Sequence, residues 1–202
     1  QCLHDPEAVM TDLIQSIRAE YQRYKALAEG AIAQLDDAQL SVAEADADNS
    51  IATICWHVSG NLQSRFTDFL TTDGEKPWRK REEEFERRTV ARTDLLAKWE
   101  QGWKVLYETL GTLTDEQLGI TVTIRHQQLK VHEALHRSLA HMSYHVGQIV
   151  YVAKAMRGRE WTSLSIPPGR SDAYNQHPTM ERPAGQAAAT DRDRPRPLTP
   201  RS

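Results

Sequence analysis

The 202-residue sequence predicts an all-α fold, a four-helix bundle with a long crossover between the second and third helices and a short β-hairpin before the fourth. Three observations carry that prediction. Four long segments repeat apolar residues at helical spacing. A densely charged stretch separates the second from the third. Strand-like alternation is confined to one short region.

The elements follow in order. Asp5-Pro6 reads as an N-cap followed by proline at the first helical position. Val9, Leu13, Ile17, Tyr21, Tyr24, Leu27 and Ala28 then recur as the apolar face of a first helix. Glu44 to Asn49 is polar and acidic and reads as a loop. Asn49 or Ser50 caps a second helix carrying Ile51, Ile54, Cys55, Val58, Leu62 and Phe69. Turn chemistry at Thr71-Thr72-Asp73-Gly74 ends it near Leu70. Residues 73–92 mix charges of both signs, which predicts a solvated connection and not an anion-binding patch, pinned by Trp78 and Phe85.

Thr93 is placed to cap a third helix with Leu95, Leu96, Trp99, Trp103, Leu106 and Leu110 on one face, and Gly111 to end it. Thr114 to Leu118 fits one helical turn. Ile120 to Ile124 alternates with β-branched residues and pairs with Gln128 to Val131 as a hairpin. The fourth helix runs from about His132 to Arg157 and stops at Gly158. Residues 159–177 are irregular but partly apolar, and pack on the bundle. Five of the nine prolines and five arginines lie from Pro178 onward, with few apolar residues. The division expected is therefore a bundle domain over 1–177 and a disordered tail over 178–202.

Composition bounds the function. Hydrophobic residues make up 39% and charged residues 26%, enough for one packed core. A net charge of -3 argues against a nucleic-acid partner or an anionic membrane surface. No apolar run approaches the roughly 18 residues that span a bilayer. Only Cys2 and Cys55 are present, one of them at the extreme terminus, so a disulfide framework is not expected and a reducing cytoplasm fits.

Chemistry concentrates in the histidines. His141 and His145 lie four residues apart on the fourth helix, which stacks both imidazoles on one face. Two stacked imidazoles are half of a divalent-metal site. His132 and His136 repeat the spacing on the other flank of the apolar stripe, and periodicity does not choose between the pairs. On the second helix His57, Asn61, Ser64 and Asp68 form a polar stripe, and His57 is a candidate third ligand. Cys55 lies about 200° from His57 on an ideal helix and reads as a small core residue.

These residues resemble the DinB/YfiT-like superfamily of metal-dependent proteins, closest to an uncharacterised bacterial branch. The resemblance rests on Gly60 to Leu70, Thr72 to Trp78, Arg81 to Glu86, His141 to Gln148 and Leu164 to Gly169, in that order, and covers about residues 7–176. It implies a four-helix bundle, often a homodimer, with a histidine triad that binds a divalent ion, commonly zinc or nickel. It assigns the triad to His57, His141 and His145. Members with known activities include thiol-dependent S-transferases and an isomerase dependent on mycothiol.

Three neutral imidazoles leave such an ion its full charge and an open position, where a thiol or water loses its proton more readily. The reading this supports is a metal-dependent thiol S-transferase acting on small electrophiles, with a low-molecular-weight thiol as partner. The alternatives are a hydrolase using bound hydroxide and a non-catalytic metal-binding dimer. A basic group near the open position favours the first, a carboxylate within one water of it the second, an occluded position the third. Asn61, Asp68 and Gln148 are candidate partners for the ligands' outer nitrogens. Arg65 is a candidate to hold a carboxylate of the thiol, and the Asp73 to Trp78 loop to border the pocket.

Overall fold

Each of the four apolar-periodic segments forms a long helix in the structure, a computed structural model that describes residues 13–43 and 49–181. The elements are α1 (Leu13–Ile32), the short α2 (Asp37–Leu40), α3 (Ile51–Phe66), α4 (Arg92–Thr112), strands β1 (Thr121–Ile124) and β2 (Gln127–Lys130), α5 (Val131–Arg157) and the short α6 (Ser171–Gln176). Helix α1 packs chiefly on α5, and α3 on α4, with the long crossover leading from α3 to α4. The Asp5-Pro6 cap, Cys2, the acidic stretch 44–48 and the tail from residue 182 on lie outside the described residues. Among the described residues no helix is long and apolar enough to cross a membrane.

Boundaries shift where local polar groups outcompete the helical pattern. Helix α3 begins as expected, with the Ser50 hydroxyl accepting from Thr53 N–H. It ends at Phe66, one turn before Leu70. Asp68 turns to φ 48° and its carbonyl accepts from the N–H groups of Thr71 and Thr72, a turn that replaces the next helical bonds. Helix α4 starts at Arg92, not behind a Thr93 cap. The cap comes from another element: Asp37 of α2 accepts from Arg92 N–H at 3.2 Å. The Arg92 guanidinium then reaches back to the carbonyls of Ile32 and Leu35, closing the end of α1. Gly111 lies inside α4, which continues to Thr112, so glycine there was no stop. Helix α1 likewise runs past Ala28 to bury Ala31 and Ile32. Gly158, at φ 54°, ends α5 as its position indicates.

The core holds Tyr21, Trp99 and Trp103 in edge and tilted contacts, with ring centroids 6.2 and 5.3 Å apart. The Tyr21 hydroxyl donates to the Leu135 carbonyl, tying α1 to α5. Helices α3 and α4 meet at Gly102. A Cβ there would lie 2.6 Å from Ser59 Cα, and the Ser59 hydroxyl donates to the Lys98 carbonyl at 2.6 Å. Gly102→Ala therefore has to push the helices apart. Overpacking of about 1–3 kcal/mol exceeds the gain in helix propensity of up to about 1 kcal/mol. The expected result is a lower urea midpoint, and an unchanged or raised midpoint would show that the contact yields.

Strands β1 and β2 pair antiparallel with Ile124 opposite Gln127. Their turn residues Arg125 and His126 both have positive φ, as a two-residue turn of this hand requires. Asp73 of the crossover accepts from the backbone N–H of both, at 2.8 Å. Gly74 N–H adds a bond to the Thr123 carbonyl at 2.7 Å. The crossover and the hairpin are thereby one wall.

Candidate metal centre

Helix α3 carries His57 and α5 carries His141 and His145, and the packing of these helices brings one ring nitrogen of each to within 4.8 Å of the others. His57 Nε2 lies 3.3 Å from His141 Nε2, and His145 Nε2 lies 3.0 Å from it. A tetrahedral ion with metal–nitrogen bonds of about 2.05 Å sets its ligand nitrogens about 3.3 Å apart. Two of the three separations lie close to that value, and the third is within 4.8 Å, a cluster that could hold a divalent ion.

The outer nitrogens point the same way. His57 Nδ1–H donates to Glu84 Oε2 at 2.9 Å, which leaves the Nε2 lone pair free for coordination. Arg79 grips the same carboxylate with two bonds, Nε to Oε1 and Nη2 to Oε2, each 2.8 Å. His145 Nδ1–H donates to Gln148 Oε1 at 2.8 Å, and Gln148 Nε2 in turn donates to the Tyr144 hydroxyl. Burial works against the charge on Glu84, and the hydrogen bonds from Arg79 and His57 outweigh it, holding the carboxyl below its usual range.

The sequence predicts a solvated connection over residues 73–92 and gives Glu84 no role at the site. The structure corrects that. Glu84 and Lys76 are buried, and the Arg79 side chain is 2% exposed. The signal was the glutamate-rich Arg81 to Glu86 stretch, whose 3-10 turn at Glu82–Phe85 aims one acid of four inward. Gly60 makes room for it: a Cβ there would fall 2.1 Å from Glu84 Oε1.

The other candidates are distributed as follows. Gln148 is on His145. Asn61 is buried on α3 and lines the adjoining cavity. Asp68 is exposed beyond the end of α3, on the turn described above, and not on the stripe with His57. Arg65 donates to the Gly74 carbonyl and to Glu75, which Arg125 also grips. His132 donates from Nδ1 to the Leu118 carbonyl, and His136 is exposed. Among the described residues no third metal-ligating side chain joins that pair. Cys55 is fully buried, and burial pushes its thiol pKa up.

A cavity of about 860 Å³ opens beside His57 and His141. Arg65, Arg79, Arg81, Arg125 and Arg137 line it, with Phe66, Phe69, Ile124 and Leu129 as apolar walls. No aspartate or glutamate is among its lining residues.

Burial is the first cause that holds His141 down to about 3, with the neighbouring positive charges of His145, His57, Arg65 and Arg79 behind it. Burial also holds His145 down to about 4, aided by His57 and opposed by Gln148. An unfolded histidine titrates near pH 6.5. Between about pH 6.5 and 4 the unfolded chain binds protons that the folded one does not, so stability falls as pH falls. Above that window these groups contribute no slope. Chelated protein is expected to show a lower urea midpoint at pH 5 than at pH 7, and a smaller difference in a His141→Gln/His145→Gln variant. Equal differences in the two proteins would count against this cause.

A family model described as a protein of unknown function, DUF1572, matches residues 8–170. No match to a curated protein was found. The three-histidine cluster and the bundle agree with the resemblance to the DinB/YfiT-like superfamily. With the match extending from α1 to the segment before α6, the chain belongs to the DUF1572 family.

Proposed function

We propose that the protein is a metal-dependent thiol S-transferase acting on small electrophiles, with His57, His141 and His145 as ligands of one zinc or nickel ion. The observation that carries this reading is a roomy cavity that opens on His57 and His141 and has basic and apolar walls without a lining carboxylate. An ion bound there supplies a positive centre that lowers the pKa of a thiol.

The chain's own residues do the rest. Glu84 and Gln148 hold the His57 and His145 rings with Nε2 facing inward. Arg65 and Arg79 place fixed positive charge beside a sulfur that develops negative charge. Phe66, Phe69, Ile124 and Leu129 exclude water and receive the apolar part of the electrophile. Among the described residues the single cysteine, Cys55, is buried, and the proposal takes the thiol from outside. Hydrolysis is the weaker reading because the carboxylate that would favour it is absent from the cavity lining. Both Glu84 oxygens are already engaged by Arg79 and His57.

A panel of low-molecular-weight thiols with a generic aryl halide electrophile tests this. Loaded protein is expected to consume thiol and electrophile in equal amounts, and chelated protein to lose that turnover. No metal-dependent turnover with any thiol removes the transferase reading and leaves a metal-binding protein.

A further inference from the structure

We infer that the cavity beside the triad is a binding site for a small organic anion, with the ligand's oxyanion group held by arginines and its apolar body against the aromatic and aliphatic walls. This deepens the transferase reading and rests on it only for which reactant carries the anion.

The charge on the walls is one-sided. The protein as a whole carries a net charge of -3, yet every charged side chain lining this cavity is an arginine. Arg65 and Arg125 share the single carboxylate of Glu75, at 3.2 and 2.7 Å. Arg79 is paired with Glu84, and Arg81 with the exposed Glu82. Arg137 has no ion pair among the described residues. Five guanidiniums against three carboxylates leave an excess of two positive charges around one open cavity.

The depth of these groups is graded. The Arg79 side chain is 2% exposed, and its Nη1 is buried without an acceptor. The Arg65 side chain is 13% exposed. Arg81, Arg125 and Arg137 are exposed at the rim. Rim guanidiniums attract an anion from solvent, and their planar donor pairs match a carboxylate or phosphate. A volume of about 860 Å³ suits a ligand of tripeptide size, not an ion alone. An oxyanion at the rim leaves the other end of such a ligand at His57 and His141.

Calorimetric titration of metal-loaded and of chelated protein tests this with S-methylglutathione, which carries carboxylates and no free thiol. Its diethyl ester and inorganic phosphate are the comparison probes. S-methylglutathione is expected to bind both protein forms, and the ester about tenfold more weakly or worse. Arg81→Gln/Arg137→Gln is expected to weaken S-methylglutathione by about tenfold as well, with metal content and thermal midpoint unchanged. Binding should weaken as salt is raised. Displacement by phosphate at equal concentration would assign the same arginines to a phosphoryl group instead of a carboxylate.

Equal binding of acid and ester, no loss in the arginine variant, or no saturable binding at millimolar ligand would overturn the inference. The two readings fail separately. Anion binding without thiol turnover removes the transferase and keeps the anion site. Turnover that is equal for glutathione and its ester keeps the transferase and removes the anion site.

Discussion

The purified protein is expected to carry about one divalent ion per chain, and the His57→Ala/His145→Ala variant to carry none after dialysis. Two of the three converging nitrogens are gone in that variant, and a lone His141 does not hold an ion against buffer. Elemental analysis reads the stoichiometry and separates zinc from nickel. A second readout is stability. A ligand present at a thousand times its Kd stabilises the native state by about 4 kcal/mol. In a chain of this size that raises the thermal midpoint by about 10 °C. Chelation should remove that increment from the parent protein and do nothing to the variant. A parent protein without metal, or a variant that keeps it, would sink the triad.

The second large effect is expected at Arg79. Glu84 points inward from the crossover with its side chain 9% exposed, and Arg79 supplies two of its three charge-assisted bonds. Arg79→Ala leaves a buried carboxylate with only an imidazole for company. Breaking a buried pair by removing one partner costs about 3–5 kcal/mol. Loss of the crossover's anchor also loosens His57, so metal affinity should fall with stability. Glu84→Gln separates the two effects. It keeps the shape and a carbonyl acceptor for His57 Nδ1–H but removes the charge, and metal affinity is expected to fall about 10–100-fold. Gly60→Ala, which displaces the carboxylate end without touching a ligand, should shift metal affinity in the same direction. Competition with a chromophoric chelator measures both. Unchanged affinity in Glu84→Gln and Gly60→Ala would reduce Glu84 to a structural anchor.

The helices were legible because their signals are local. Apolar residues at helical spacing, the Ser50 cap and Gly158 are read from a few neighbouring residues. The hairpin was legible from β-branched alternation, although its Arg125-His126 turn lacks the glycine or asparagine that usually marks one. The boundaries that moved did so for two reasons, a cap from a residue distant in sequence and a local turn. Asp37 caps α4 across the fold, and the Asp68 turn truncates α3. Among the site residues, Gln148 was visible one turn beyond His145. Asp68 was misplaced because the wheel extended a helix that had already ended.

By itself the sequence determined that this is a helical bundle and that its histidines occur in pairs at metal-binding spacing, because both are properties of contiguous residues on one helix. Periodicity left the His132/His136 and His141/His145 pairs open and the family resemblance pointed to the second, and the packing of α3 against α5 is what brings the His57 ring to that pair. Glu84 and Arg79 lie in a stretch whose alternating charges look solvated. They became buried because Gly60 leaves space for a carboxylate and the hairpin docks the crossover through Asp73. The one-sided charge of the cavity is decided at the same level. Its arginines come from α3, the crossover, the hairpin and α5, and only the fold brings them to one chamber while turning most of the neighbouring acids elsewhere.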